Sequence, residues 1–206
     1  MRKKLVIIGA SGHGKVIADI AEKNGYEEIV FLDDDTSLKK CGCYSVVGTS
    51  ENIMLYQEYD FVVGIGNSKE RKKIQNRIEC LQLPLAVLVH PNAVIADDVF
   101  IGNGTVVMTG AVINPGTVIG RGCIINTCAS VDHDCSISDF VHVSVGSHIA
   151  GTVNIGQKTW IGAGAIVSNN LFICDECYIG AGGVVVRDIE EAGTYIGVPV
   201  RKLSIL

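Results

Sequence analysis

The chain has 206 residues, of which 24 are Gly and 4 are Pro, with 48% apolar and only 6% aromatic residues. Gly is thus about 12% of the chain against roughly 7% in average usage; so apolar a chain with so little Pro is neither disordered nor collagen-like, and so much Gly argues against a coiled coil. The net charge of −5 falls wholly in residues 85–206, where 5 Lys+Arg face 10 Asp+Glu, and with no basic run the chain is not expected to bind nucleic acid.

No apolar run is long enough to span a bilayer, and Met1–Lys4 lead into a strand rather than a signal peptide, so no membrane partner is expected. The eight Cys then read as reduced thiols of a cytoplasmic protein.

In chain order, Lys4–Ile8 reads as a strand, Gly9-Ala10-Ser11-Gly12-His13-Gly14 as a loop, and Val16, Ile17, Ile20 and Ala21 as the apolar face of a helix. Ile29–Leu32 is a second strand ending in Asp33-Asp34-Asp35. Phe61–Ile65 is a third, followed by Gly66-Asn67 and a charged helix to about Leu83, and Leu85–Val89 is a fourth. This alternation predicts a small Rossmann-like α/β domain over residues 1–86, whose ligand would lie at the carboxyl ends of the strands. Backbone N–H groups at the start of the first helix suit a phosphate. The spacing is G-x-x-G-x-G rather than the dinucleotide G-x-G-x-x-G, so an NAD enzyme is a poor fit, and a plain tight turn stays open as the alternative. Cys41 and Cys43 read as loop residues without an identifiable partner.

From Val89 to Val185 every sixth residue is Val or Ile, at 17 of 17 positions. A second register, four residues after each of these, is nearly all small: Thr105, Ala111, Thr117, Cys123, Ala129 and Cys135 among others. This is the hexapeptide repeat of a parallel β-helix. Each hexad makes a short strand and a corner, and three hexads make an 18-residue coil. The seventeen make about five and two-thirds coils, a prism roughly 27 Å long at ~4.8 Å per coil, over residues 87–206. The period places Gly151 one coil above His133 and Trp160 one coil above His142. It also stacks Gly110, Gly146, Gly164 and Gly182, either as the floor of a groove or as corner geometry alone. His142 and His148 occupy the sixth position of consecutive hexads and so lie on different faces; His148 reads as structural or rim. Cys174-Asp175-Glu176-Cys177 lacks a second C-x-x-C, and Cys177 lies in the small inward register, so no metal is expected.

The glycine loop, Phe31-Leu32-Asp33-Asp34, Ile65-Gly66-Asn67, Asn126-Thr127, His133-Asp134, His142-Val143-Ser144-Val145-Gly146 and Gly197-Val198-Pro199 together resemble one family. It is that of the bacterial hexapeptide-repeat sugar acetyltransferases, including UDP-4-amino-sugar (bacillosamine-pathway) N-acetyltransferases and sialic-acid O-acetyltransferase-like proteins. The resemblance covers nearly the whole chain and implies that the β-helix is left-handed. It implies acetyl transfer from acetyl-CoA to the 4-amino group of a nucleotide-linked sugar, in a homotrimer with active sites between subunits. It further implies His133 as base with Asp134 in support and His142 at the acetyl thioester. Asp33 and Asp34 would meet the nucleotide base; Ser11, Gly12, His13, Gly14, Gly66 and Asn67 would hold the diphosphate and ribose, with Asn126 also on the substrate.

The chemistry agrees. An amino group must lose a proton during acylation, and an imidazole near pKa 6.5 with a carboxylate to fix its tautomer is suited to take it. Gly151 over His133 is expected to leave room for the thioester, Gly164 and Gly182 to floor the pantetheine groove, and Arg201 and Lys202 to meet the CoA phosphates. Two other readings stay open: an O-acetyltransferase of the sialic-acid type, and a non-catalytic trimeric module that binds nucleotide sugars.

Overall fold

The computed structural model describes residues 3–203 and divides into two compact units, Met1–Pro91 and Asn92–Leu206. In the first, β1 (Lys3–Ile8) lies between β2 (Tyr26–Leu32) and β5 (Asp60–Val63), parallel to both. The last four residues of β1 are buried, as befits a strand covered on both faces. Helix α1 (Gly12–Lys23) buries Gly14, Ile17, Ala18, Ile20 and Ala21 at helical spacing. Gly14 allows this approach: a Cβ there would run into the Gly9 carbonyl oxygen and stand 2.9 Å from the Phe31 ring. Helix α2 (Ser68–Cys80) starts at Asn67, whose side chain accepts from the Lys69 and Glu70 amides at 3.0 and 3.1 Å.

Three features depart from the sequence reading. The segment read as a loop around Cys41 is a hairpin, β3 (Lys40–Cys41) and β4 (Tyr44–Gly48), which extends the sheet beyond β2. Cys41 is buried in it and its thiol donates to the Ser11 carbonyl at 3.6 Å. A 3-10 helix over Ser50–Tyr56 then leads to β5. The unit boundary falls at Pro91 rather than 86, because residues 85–89 remain tied to the first unit. The Ala86 amide donates to the Phe61 carbonyl at 2.8 Å, and the Asn24 carboxamide brackets the Val89 backbone at 2.8 and 3.2 Å.

The second unit is the left-handed parallel β-helix. Two-residue strands recur every six residues and each pairs with the strand 18 residues on, as in Val112–Ile113 with Ser130–Val131 and Ile124–Ile125 with His142–Val143. Three parallel ladders result. The repeating Val or Ile is fully buried from Val107 to Val185, while Ile95 and Ile101 in the first coil are half-buried. Many corners hold a residue at positive φ, among them Gly110, Gly146, Gly164 and Gly182 but also Cys128 (54°), Asp134 (57°) and Thr152 (60°).

The small register is a hydrogen-bonding device as well as a steric one. Thr105 Oγ1 donates to the Gly120 carbonyl at 2.8 Å and accepts from the Cys123 amide at 2.9 Å. Thr117 does the same with the Asp132 carbonyl (2.7 Å) and the Cys135 amide (3.2 Å). The thiols take the hydroxyl's place: Cys123 Sγ donates to the Ser138 carbonyl at 3.1 Å and Cys135 Sγ to the Ala150 carbonyl at 3.2 Å. Each of these four side chains thus satisfies a half-buried carbonyl 15 residues on.

Candidate active site

His133 stands on the corner between the strands Ser130–Val131 and Ser136–Ile137. Its Nδ1 lies 2.8 Å from Asp134 Oδ2, and that contact is the largest cause raising its pKa above the ordinary value, with Asp132 adding to it. Asp134 can reach back because its own backbone is left-handed, a region where Asp is among the more tolerated side chains. A carboxylate at Nδ1 fixes the proton there and leaves Nε2 with the lone pair. The ring lies across Gly151: a Cβ on that residue would be 2.5 Å from Nε2 and 2.7 Å from Cε1. The imidazole therefore fills the room over Gly151 that was expected to receive the thioester, and Gly151 is part of the seat of His133.

His142 opens the strand His142–Val143 on another ladder, so the chain does not bring it to His133 within one coil face. It is 7% exposed, its Nε2 is 3.1 Å from Asn126 Nδ2, and its ring meets Trp160 at a centroid distance of 4.5 Å. Trp160 in turn meets Tyr178 at 5.6 Å, giving a tilted aromatic column. His148 lies on the third ladder, its Nδ1 2.8 Å from Ser130 Oγ.

Gly164 and Gly182, like Gly146, have positive φ and open space where a Cβ would stand. Beyond them Arg201 and Lys202 border a 170 Å³ hollow together with Arg187, a third cation that sequence reasoning passed over because no motif marks it. Lys202 pairs with Glu191 at 2.8 Å.

In the first unit Gly9, Ser11, Asp33, Asp34, Gly64, Ile65 and Gly66 converge on a 240 Å³ hollow at the carboxyl ends of β1, β2 and β5. Gly12, His13, Gly14 and Asn67 do not border it; Gly14 and Asn67 serve the close approach and the helix cap described above. The Asp pair organises the rim. Asp33 accepts from the Ala10 amide (2.6 Å) and the Asp35 amide (2.9 Å), and Asp34 from the Ser50 amide (2.8 Å) and hydroxyl (3.1 Å). Arg71, 1% exposed, donates to the Ile65 and Gly66 carbonyls at 2.8 and 2.7 Å. Burial first, and then the Arg71 charge, bring the His13 pKa down to about 4, so this ring is neutral.

Among the described residues no group of three or more His, Cys, Asp or Glu is placed to hold a metal ion, and no helix is long and apolar enough to cross a membrane. The Cys174 and Cys177 sulfurs are 3.5 Å apart, with Cys177 buried and donating to the Glu191 carbonyl at 3.6 Å.

Residues 4–78 match the family model of the PglD N-terminal domain. The chain is 30% identical over 172 residues, 80% of its length and 78% of the other's, to GDP-perosamine N-acetyltransferase of Escherichia coli O157:H7. It is 33% identical over 111 residues, 52% of its length and 51% of the other's, to UDP-N-acetylbacillosamine N-acetyltransferase of Bacillus subtilis (strain 168). Among solved structures it is similar to the acetyltransferase domain of PglB from Neisseria gonorrhoeae FA1090 in complex with acetyl coenzyme A. That likeness has 40% identity and a TM-score of 0.94, over 98% of this chain and 100% of that one. With the β-helix, the α/β unit and the His133–Asp134 corner in place, these likenesses identify the chain as a member of the bacterial hexapeptide-repeat sugar acetyltransferase family, and so as an acyltransferase.

Proposed function

We propose that the chain transfers the acetyl group of acetyl-CoA to the 4-amino group of a UDP-linked 4-amino-4,6-dideoxy sugar, directly and with His133 as general base. The observation that carries this reading is the His133–Asp134 pair at 2.8 Å over Gly151. Asp134 holds the Nδ1 proton and stabilises the imidazolium, while Nε2 takes a proton from the attacking amine and returns it to the departing CoA sulfur. The N–C bond forms as the C–S bond breaks, so no group of the protein is acylated.

The remaining residues fit the two substrates. Arg187, Arg201 and Lys202 offer cations to the phosphates of CoA, and the open corners at Gly164 and Gly182 offer it a clear path. Gly151 takes no direct part in CoA binding in this reading, because the His133 ring covers it. The hollow bordered by Ser11, Asp33, Asp34 and Gly66 takes the nucleotide, and the neutral His13 sets the helix start beside it. Each oxygen of Asp33 and Asp34 accepts one bond within the fold and keeps a second lone pair that can accept from a nucleotide donor. His133 stands on the corner between two ladders and His142 on the third, which favours an active site completed between subunits of a homotrimer, with Asn126 and His142 supplied by the neighbour. The setting is cytoplasmic glycan biosynthesis.

Thiol release from acetyl-CoA, followed with UDP-, dTDP- and GDP-linked amino sugars and with mass spectrometry of products, tests this. Acetylation of the UDP-linked 4-amino sugar is expected. Turnover only with a GDP sugar overturns the choice of base, ester formation on a hydroxyl acceptor overturns N-acetylation, and no turnover with any acceptor returns the chain to a binding module.

A further inference from the structure

Two carboxylates flank His133, and they have different partners. Asp134 bonds the ring. Asp132 bonds the main chain: its Oδ1 accepts from the His133 amide at 2.8 Å and also from Asn114 Nδ2, one coil below, at 2.7 Å. We propose that Asn114 and Asp132 are positioning residues for the reaction, a clamp that fixes the 132–134 corner so that the His133 ring stands over Gly151. The inference rests on His133 being the base.

The clamp is needed because little else aims the ring. The His133 side chain is 56% exposed, so no wall of side chains sets its direction. It is held by the Asp134 contact and by the backbone that carries it. That backbone turns through a left-handed residue, Asp134 at φ 57°, a conformation that is less favourable for an L-residue, though Asp tolerates it better than most. The constraints are all visible. The Asp132 amide donates to the Ile149 carbonyl (2.9 Å), the Asp134 amide to the Pro115 carbonyl (3.0 Å), and the Thr152 amide to the His133 carbonyl (2.9 Å). These ladder bonds hold the corner above and below, as they do at other coils. The Asn114–Asp132–His133 bridge is added to them at the corner that carries the base. A base displaced by about 1 Å loses up to roughly 10²-fold in rate, so a bond that fixes the mount is felt in kcat rather than in binding.

The arrangement separates geometry from charge. One oxygen of Asp132 accepts both bonds, and the amide oxygen of Asn at this position can accept the same two. Asn114→Ala, Asp132→Ala and Asp132→Asn are therefore compared with wild type for turnover of acetyl-CoA and a UDP-linked 4-amino sugar, with His133→Ala alongside. Asn114→Ala and Asp132→Ala are expected to lower kcat by about 10- to 100-fold while KM for both substrates stays within about threefold. Asp132→Asn is expected to keep kcat within about threefold and to move the acid limb of the kcat/KM profile to lower pH. Asp132 and Asp134 both raise the His133 pKa, and removing one of these charges lowers it. Ala variants with full kcat, or an Asp132→Asn as impaired as Asp132→Ala, overturn the clamp. If Asp132→Ala does not fold, Asn114→Ala and Asp132→Asn decide. A dead His133→Ala beside an unimpaired Asn114→Ala rejects the clamp alone, whereas an active His133→Ala rejects the base assignment beneath it.

Discussion

At His133, an exposed histidine becomes a candidate base through two neighbours, one that bonds its ring and one that has no side chain. Gly151 is absent from the residues at positive φ, so its backbone tolerates Ala, yet the added methyl would strike the imidazole at 2.5 Å. Gly151→Ala is therefore expected to fold as wild type in a thermal melt and to lose on the order of 10²-fold in kcat. The Asp134 contact raises the His133 pKa, and only the neutral ring accepts a proton, so the acid limb of the rate profile should lie above the ordinary ~6.5 of histidine. Asp134→Asn should move that limb to lower pH, as a pH–rate profile would show.

His13 works in the opposite direction. Its folded pKa of about 4 lies below the unfolded 6.5, so the unfolded chain binds the extra proton between these values and stability falls as pH drops through that window. The shift corresponds to about 3 kcal/mol, and His13→Gln should remove that part of the slope in urea unfolding between pH 6.5 and 4. The stacking of Gly151 on His133 was legible in the sequence because the 18-residue coil fixes which residues stack, and the pairing of His133 with Asp134 through the family resemblance; that the ring itself fills the space over Gly151 was not. The bonds of Asp34 to Ser50 and of Asp33 to Ala10 were not, since they join segments that only the folded sheet brings together.

The element scale explains why the register after each Val or Ile holds Thr and Cys as well as Ala. Thr105 and Thr117 each satisfy one buried amide and one half-buried carbonyl. Thr105→Val keeps the shape and strands both groups, and is expected to destabilise the unit by about 2–3 kcal/mol in urea unfolding, whereas Thr105→Cys should cost less than about 1 kcal/mol. The sequence pattern displayed the smallness of this register but not its hydrogen bonds, because Ala111 and Ala129 occupy it equally well. The hairpin of Lys40–Cys41 and Tyr44–Gly48 escaped for a different reason. One strand has two residues and the tie between them is Gly42-Cys43 with Gly42 at φ 63°, so no run long enough to show alternation exists.

For the whole molecule, the uneven spread of Gly and charge along the chain marks the two units. Eight Gly and a net charge of zero fall in residues 1–84, and sixteen Gly lie from Gly102 onward, many at coil corners. A boundary at 91 rather than 86 follows from Asn24 holding Val89, a contact 65 residues apart that no local pattern announces. The proposed shared site requires a trimer, so light scattering should give three times 21.9 kDa, and a stable active monomer would contradict it.

In the proposed reaction His133 removes the proton from an amino sugar as acetyl-CoA acylates it. This role is tested most directly by comparing thiol release by wild type and His133→Ala with acetyl-CoA and a UDP-linked 4-amino sugar, with CoA binding measured on both proteins. With His133 as the base, kcat is expected to fall by roughly 10²–10⁴ in the variant while CoA binding is kept. Turnover retained by His133→Ala would contradict it.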